Sequence, residues 1–174
     1  FEFPHLLRLM AENQFDTIYH EHFSYLSLTA VRRIFAHNGL VVFDVEELPT
    51  HGGSLRVFSQ RTNSGAHAVT PRVAEMLARE DAAGMTAAGY YTGFQARADK
   101  IKNDFLVFLI EANRAGKKVA AYGAAAKGNT LLNYAGVRPD LLPWVVDRNP
   151  SKQGKYLPGS RIPIVGEERL RAEH

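Results

Sequence analysis

The sequence contains no cysteine and only one tryptophan among its 174 residues. Without cysteine, disulfide scaffolds, thiolate nucleophiles and cysteine-ligated zinc sites are all excluded within it. No apolar run approaches the roughly 20 residues that a membrane-spanning helix needs. The missing cysteine fits a reducing compartment, so we expect a cytoplasmic protein. The first residue is Phe rather than Met, and nothing after it is typical of a secretory leader, so we expect a piece of a longer chain.

Charge is unevenly distributed along the chain. Residues 1–112 hold 10 Lys and Arg against 13 Asp and Glu, a net charge of −3, whereas residues 113–174 hold 11 against 5, a net charge of +6. A basic C-terminal third favours an anionic partner in that region. Nucleic acid is not expected as that partner, because the chain has no strip of alternating basic and aromatic residues.

The first stretch of the chain, up to about residue 63, predicts a short helix and a β-hairpin. Thr29 is the expected N-cap of the helix, and Asn38-Gly39 is its expected end. Two strand-like runs follow, at residues 40–48 and 54–60, and an antiparallel hairpin is the economical interpretation. We expect no partner strand for this hairpin within the stretch.

Helical and then strand periodicity follow. A helix is expected to start at Thr70-Pro71, and a longer one is expected to run from Phe94 to Ala112. Two short apolar runs, at residues 119–122 and 144–147, flank another helical segment. This pattern predicts a strand–helix–strand unit in a parallel sheet whose strands are covered on both faces, with the long helix over one face.

The loop between these two strands, residues 123–130, has the sequence GAAAKGNT. A glycine-containing turn into a helix leaves unpaired N–H groups that favour an anion. The loop fits neither the P-loop nor the dinucleotide fingerprint, because Lys127 precedes the second glycine and Ala125 stands where the fingerprint has glycine. Lys127, Asn129 and Thr130 can still bind a phosphate, and the alternative is an ordinary tight turn.

Asp147 ends the second strand, about 24 residues after Gly123. An acid at this position can accept hydrogen bonds from a ribose, as in nucleotide-binding strand–helix–strand units. The alternative is that Asp147 only caps Asn149. The basic loop at residues 152–159 can close over an anionic ligand, or it can be a solvated hairpin turn.

Residues 16–22 concentrate Asp16, Tyr19, His20, Glu21 and His22. The zincin spacing is not met, and a metal site would need a strand that places both histidines on one face together with a third ligand from elsewhere. General acid–base chemistry needs only one histidine near the substrate and a tyrosine or carboxylate that assists it. A surface loop with hydrogen-bonded histidines stays open as the alternative.

Residues 51–54 read His-Gly-Gly-Ser, which is similar to the oxyanion loop of esterases. The chain has no G-x-S-x-G nucleophile elbow, so an acyl hydrolase is not expected. We interpret the segment as the hairpin turn, with His51 facing a pocket.

Five segments resemble one protein family in their order along nearly the whole chain. They are FDTIYHEH from Phe15, HGGSLRV from His51, YGAAAKGNT from Tyr122, VDRNP from Val146 and KQGKYLPG from Lys152. Together they resemble the S-adenosylmethionine-dependent C-methyltransferases that act on nucleotide-linked keto-sugars. The resemblance implies methyl transfer to carbon after base-assisted enolisation of the sugar, with a nucleotide-diphosphate sugar as partner.

The resemblance also implies a domain organisation. Residues 1–65 correspond to the tail of a methyltransferase domain that ends in an antiparallel hairpin. Residues 66–116 correspond to a helical connection packing on the C-terminal domain, and residues 117–174 to a C-terminal Rossmann-like α/β domain that binds the nucleotide-sugar. S-adenosylmethionine is expected to bind mainly upstream of this chain, and zinc only in an upstream cysteine-rich module. This chain by itself is therefore expected to be inactive.

Roles for individual residues are carried over from the family. The resemblance makes His22 the base that removes the proton beside the sugar ketone, with Tyr19 and Glu21 assisting it. It places nucleotide binding on the following residues: Gly123, Lys127, Gly128, Asn129, Thr130, Asp147, Arg148 and His51. The alternative hypothesis is a non-catalytic nucleotide- or dinucleotide-binding Rossmann module in which residues 19–22 are structural.

Overall fold

A computed structural model describes residues 1–172 and divides the chain into two compact units. The first unit comprises Phe1–Phe15 and His22–Gln95, and the second comprises Asp16–Glu21 and the chain from Ala96 on. The first contains a three-stranded antiparallel sheet and the second a three-stranded parallel sheet. The predicted α/β class, with a hairpin before a parallel sheet flanked by helices, is confirmed.

The first unit is built on a sheet with the strand order β1-β3-β2. Its elements are β1 (Glu2–Pro4), α1 (Leu6–Ala11), α2 (Leu28–His37), β2 (Leu40–Leu48), β3 (Ser54–Arg61) and α3 (Pro71–Ala82). The predicted hairpin is confirmed, with Leu40 opposite Arg61 and Leu48 opposite Ser54. The expectation that the stretch supplies no partner strand was wrong, because β1 pairs antiparallel with β3.

The start of α2 differs from the prediction. Its N-cap is Ser27, whose hydroxyl accepts a hydrogen bond from the backbone N–H of Ala30 at 3.1 Å. Thr29 is not the cap, because its hydroxyl donates instead to a carboxylate oxygen of Glu80 on α3, at 2.6 Å. A contact that is distant in sequence therefore takes the side chain that the local pattern assigned to capping.

Glu80 is completely buried and gathers four donors around its carboxylate. It lies 2.7 Å from Nε2 of His5, and it accepts from the backbone N–H groups of Leu28 and Thr29 at 2.6 and 2.8 Å as well as from the Thr29 hydroxyl. Burial by itself raises the pKa of Glu80, but the hydrogen bonds from His5, Thr29 and the two amides outweigh it, and the pKa lies below its usual range. The carboxylate thus joins α3 to the positive end of α2.

The helices of residues 66–116 pack on two different sheets. On α3, Val73 and Met76 face the core of the antiparallel sheet, together with Leu28 and Leu55. On α4 (Phe94–Arg114), Leu109 is fully buried in the core of the second unit. The domain boundaries at residues 65 and 116, and the packing of residues 66–116 on the C-terminal domain, stay predictions.

The second unit contains a parallel sheet with the strand order β4-β5-β6. Its further elements are β4 (Ala121–Tyr122), α5 (Ala126–Tyr134), β5 (Val145–Val146), β6 (Ile164–Val165) and α6 (Glu167–Ala172). The strand–helix–strand prediction is confirmed, but β4 is not covered on both faces. It is an edge strand, and Tyr122 is 58% exposed.

The core of the second unit forms between α4, α5 and the sheet. Leu109, Val137, Val145 and Ile162 are at most 1% exposed. Trp144, directly before β5, is 7% exposed. The prediction that the long helix covers one face of the parallel sheet is confirmed by Leu109. Among residues 1–172, no helix combines the length and apolar character needed to cross a membrane.

Candidate functional site

The carboxyl ends of the three parallel strands lie level with one another. Tyr122 is paired with Val146, and Val146 with Val165, so each strand ends at the same edge. The ladder continues for one step beyond the strands, since the N–H of Gly123 donates to the carbonyl of Val146 at 2.7 Å. Ligands of open α/β sheets bind at this edge, and it is the candidate site here.

The loop after β4 turns at Gly123, whose φ of 96° favours glycine. Ala125 is the N-cap of α5, and an alanine side chain cannot accept a hydrogen bond. The N–H groups of the first helical turn, which includes Lys127 and Gly128, therefore find no acceptor in the side chain of their own N-cap. A side chain at Gly128 would meet no atom of the described residues within 4 Å, so there is room beside this turn.

Asn129 and Thr130 lie in the second turn of α5, where their side chains contact the helix itself. The Thr130 hydroxyl donates to the carbonyl of Ala126 at 3.2 Å. The side-chain oxygen of Asn129 accepts from Nδ2 of Asn133 at 3.1 Å. The roles predicted for Asn129 and Thr130 stay predictions. The Thr130 hydroxyl would have to exchange its acceptor for a phosphate, whereas the side-chain nitrogen of Asn129 could donate while the oxygen keeps this contact.

Asp147 joins the loop after β4 to the loop after β5. Its Oδ2 accepts from the N–H of Ala124 at 2.8 Å and from Nζ of Lys152 at 3.1 Å. Its Oδ1 accepts from the N–H of Asn149 at 2.8 Å. Lys152 also donates to the carbonyl of Ala124 at 2.9 Å. Both carboxylate oxygens of Asp147 are therefore engaged within the protein, and they hold the two loops together.

The same contacts set the charge of Asp147. The hydrogen bond from the Asn149 backbone is the largest influence, and with Lys152 and Ala124 it outweighs desolvation, so the pKa of Asp147 lies below its usual value. The carboxylate is thus ionised at neutral pH. The capping of Asn149 that the sequence left open as an alternative is present, and it coexists with the bond to the loop after β4.

The structure also brings together Tyr122, Arg148 and Glu167 at the same edge; Arg148 was among the predicted site residues, whereas Tyr122 and Glu167 were not. The Tyr122 hydroxyl donates to Oε1 of Glu167, and Nε of Arg148 lies 3.6 Å from that oxygen. Arg148 and Glu167 each stand two residues after the end of a parallel strand. Equal spacing after two buried apolar strands is the sequence signal that could have brought them together.

The basic loop at residues 152–159 belongs to a tight antiparallel turn. The N–H of Leu157 donates to the carbonyl of Ile162 at 2.9 Å, and the N–H of Ile164 donates to that of Lys155 at 2.8 Å. Asn133 on α5 donates to the carbonyl of Pro158 at 2.9 Å. The turn is thus anchored to α5, and Lys152 is the member of the loop that reaches the candidate site.

An apolar cavity of about 380 Å³ adjoins the loop after β4 within the second unit. It is lined by Phe105, Phe108 and Leu109 of α4 and also by Gly123 and Gly128. This volume lies within the range of small-molecule sites. A ligand phosphate on the loop would therefore have apolar surface beside it.

Residues 18–25 form an irregular segment rather than a strand. Tyr19 and Glu21 cluster with the second unit, whereas His22 clusters with the first. Tyr19 and His22 are half-buried and Glu21 is exposed. Because the segment is not a strand, the shared face that a metal site required is not formed. Within residues 1–172, no three histidine or carboxylate side chains are grouped closely enough to hold a metal ion.

The His-Gly-Gly-Ser segment of the first unit is the hairpin turn, as predicted. His51 lies in a single helical turn, Thr50–Gly52, with a left-handed φ of 54°. Its side chain is exposed rather than enclosed by a pocket. The nucleotide-binding role carried over for His51 stays a prediction.

Comparisons of the whole sequence with known proteins agree with the resemblance of the five segments. Residues 49–174 match the C-methyltransferase C-terminal domain. Over 168 residues, 97% of this chain, the sequence is 42% identical to the C-methyltransferase NovU of Streptomyces niveus, and it spans 40% of the length of that protein. The resemblance to C-methyltransferases drawn from the five segments is confirmed. The chain therefore belongs to the C-methyltransferase family, of which it carries the C-terminal domain.

Proposed function

We propose that the chain is the C-terminal part of an S-adenosylmethionine-dependent C-methyltransferase that acts on a nucleotide-linked keto-sugar. In this proposal the parallel unit binds the nucleotide diphosphate, and His22 acts on the sugar. The family relationship and the 42% identity to NovU support methyl transfer to carbon. The basic C-terminal third and the loop after β4 support an anionic substrate.

The observation that supports nucleotide binding is the turn at Gly123, at the carboxyl end of β4. This tight turn brings the N–H groups at the start of α5 close to the carboxyl end of β4. Lys127 lies in the first turn of α5. Backbone N–H groups and a lysine ammonium are donors suited to a diphosphate. Asp147 and Lys152 preset the loop geometry, so little ordering is needed on binding.

The chemistry assigned to His22 is removal of the proton on the carbon beside the sugar ketone. An imidazole can accept a proton near neutral pH when its ring nitrogen lies within about 3 Å of the carbon that carries the proton. The pair of electrons left on that carbon moves toward the ketone oxygen, where a hydrogen bond from Tyr19 would stabilise the enolate. The enolate carbon is then the nucleophile, and Glu21 orients the site.

The loop after β4 does not fit S-adenosylmethionine. The donor is a sulfonium cation, and the loop after β4 offers N–H groups and lysines, which favour anions. In this proposal the electrophilic methyl group is supplied mainly by a site upstream of this chain, as the family resemblance implies. We expect no binding of S-adenosylmethionine at micromolar concentration in calorimetry of this chain, and micromolar binding would contradict this assignment.

Calorimetric titration with thymidine diphosphate, uridine diphosphate, NAD and NADP tests the nucleotide proposal. Thymidine and uridine diphosphates are expected to bind, whereas NAD(P) is not. Lys127→Ala should weaken diphosphate binding about tenfold, the effect of losing one charge-assisted contact. Lys100→Ala, at an exposed lysine of α4, is the matched control and should leave the affinity unchanged. Binding of NAD(P) alone would instead favour a dinucleotide-binding module.

A further inference from the structure

We infer that Tyr122, Arg148 and Glu167 recognise the nucleoside, and that the Glu167 carboxylate accepts a hydrogen bond from a hydroxyl of the pentose. This inference rests on the proposed nucleotide binding. The three residues come from the ends of three different strands and meet at the edge that carries the phosphate loop. Tyr122 directly precedes Gly123, so the cluster and the loop are continuous.

The cluster presents a carboxylate with acceptor capacity to spare. Tyr122 and Arg148 both approach Oε1 of Glu167, and no contact among the described residues is assigned to Oε2. A carboxylate oxygen accepts about two hydrogen bonds, so Oε2 can take a hydroxyl. The Glu167 side chain is 38% exposed, which leaves it accessible.

Asp147 does not provide this acceptor, although it stands at the position where nucleotide-binding sheets place their ribose acid. Its two oxygens already accept three hydrogen bonds, from Ala124, Asn149 and Lys152. One acceptor position remains on its Oδ1, but the side chain of Asp147 is only 12% exposed, against 38% for Glu167. Glu167, one strand further along the same edge, is the carboxylate whose partners leave an oxygen for a ligand.

Tyr122 fixes the orientation of Glu167. The hydrogen bond to the carboxylate raises the pKa of Tyr122, so the phenol keeps its proton and remains the donor. Tyr122 as a whole is 58% exposed, and its ring can offer a face on which a nucleobase stacks. Arg148, 79% exposed, offsets the charge of Glu167 toward a bound diphosphate.

The test is a calorimetric comparison of thymidine diphosphate with its 3′-deoxy analogue, 2′,3′-dideoxythymidine diphosphate. The 3′-hydroxyl is common to thymidine and uridine nucleotides, so the comparison does not depend on the base. The wild-type protein should bind thymidine diphosphate about tenfold more tightly than the analogue. Glu167→Gln should weaken the parent ligand about tenfold and leave the analogue unchanged. Tyr122→Phe should produce a smaller loss with the same selectivity.

Glu168→Gln is the control, because Glu168 is the neighbouring exposed acid in the same helical turn. It removes the same charge and should leave both affinities unchanged. Equal binding of the two ligands by the wild-type protein would overturn the hydroxyl contact while leaving the nucleotide proposal intact. If Glu167→Gln and Glu168→Gln lowered the affinity for thymidine diphosphate equally, the loss would be an effect of net charge. That result would also overturn the hydroxyl contact. Absence of any diphosphate binding would overturn both proposals.

Discussion

His5 and Glu80 form a buried pair in which Nε2 of the imidazole lies 2.7 Å from Oε1 of the carboxylate, and their side chains are 1% and 0% exposed. The pair joins the junction of β1 and α1 to α3, and Glu80 extends the connection to the start of α2. One carboxylate therefore links three elements that are far apart in sequence. Such a group is costly to leave without partners and strongly destabilising to remove.

Glu80→Gln should lower the free energy of unfolding of the first unit by about 2–4 kcal/mol at pH 7. The amide keeps one acceptor oxygen but places N–H groups where a carboxylate oxygen accepted hydrogen bonds from Thr29. Urea denaturation followed by circular dichroism measures the change. Glu75→Gln, an exposed position on the same helix, is the control and should change stability by less than about 0.5 kcal/mol.

The same pair predicts acid sensitivity. The pKa of Glu80 is lowered in the folded protein, so its stabilisation is complete above the unfolded carboxyl pKa of about 4.3 and is lost as the pH falls through the folded value. The stability difference between wild type and Glu80→Gln should therefore shrink as the pH is lowered from 7 into the acid range. A difference that stayed constant across this range would contradict the assignment.

Asp147→Asn should loosen the phosphate loop. The amide cannot accept from Ala124 and Lys152 through the nitrogen that replaces Oδ2. We expect about 1–3 kcal/mol less stability in urea denaturation and weaker binding of thymidine diphosphate in calorimetry. Asp140→Asn, at an exposed aspartate of the same unit, supplies the comparison. If Asp147→Asn bound the nucleotide with wild-type affinity, the loop contacts would not be what presets the site.

Gly159→Ala should be more destabilising than Gly154→Ala in the same turn. Both glycines have positive φ, 78° and 76°, so each alanine pays a conformational cost of about 1 kcal/mol. At Gly159 the added Cβ would also lie 2.9 Å from Cγ of Asn133, whereas at Gly154 it would meet nothing within 4 Å among the described residues. The free energy of unfolding should therefore fall by about 1–2 kcal/mol more in Gly159→Ala than in Gly154→Ala, measured by thermal or urea denaturation. This difference should vanish in an Asn133→Ala background, and a difference that persists there would exclude this contact as its cause.

His22→Ala should abolish deuterium exchange at the carbon beside the sugar ketone. The measurement uses a chain long enough to turn over a keto-sugar nucleotide, incubated in heavy water without the methyl donor and followed by NMR. Proton removal then occurs without methylation, so the base is tested separately from the donor. His20→Ala, at the exposed neighbouring histidine, should retain exchange. Wild-type exchange in His22→Ala would remove His22 from the mechanism.

Local patterns predicted the elements whose stabilising contacts are close in sequence. The hairpin at residues 40–60 and the end of α2 at Asn38-Gly39 follow from alternation and from glycine conformations, and both are present. The start of α2 was misassigned because a glutamate 51 residues away takes the Thr29 hydroxyl. The strand β1 was missed because it has only three residues, one of them Pro4, which is too short a run to show alternation.

At the candidate site, the strand–helix–strand pattern predicted Gly123 and Asp147 at the ends of neighbouring strands, and the family resemblance added Arg148. Neither could assign the partners of Asp147, since these depend on how the loop at residues 149–153 folds back. Glu167 was missed for a related reason. The connection from β5 to β6 has no helix, so periodicity gave no sign that a third parallel strand ends just before this residue.

Trp144 lies at the base of β5, and it is the single tryptophan of the sequence. Its indole emission therefore reports the melting of the parallel sheet alone, while the antiparallel sheet is silent in that signal. Comparing fluorescence with ellipticity during one denaturation distinguishes a cooperative molecule from two independently folding halves. Trp144 is thus an intrinsic fluorescence probe for the parallel sheet.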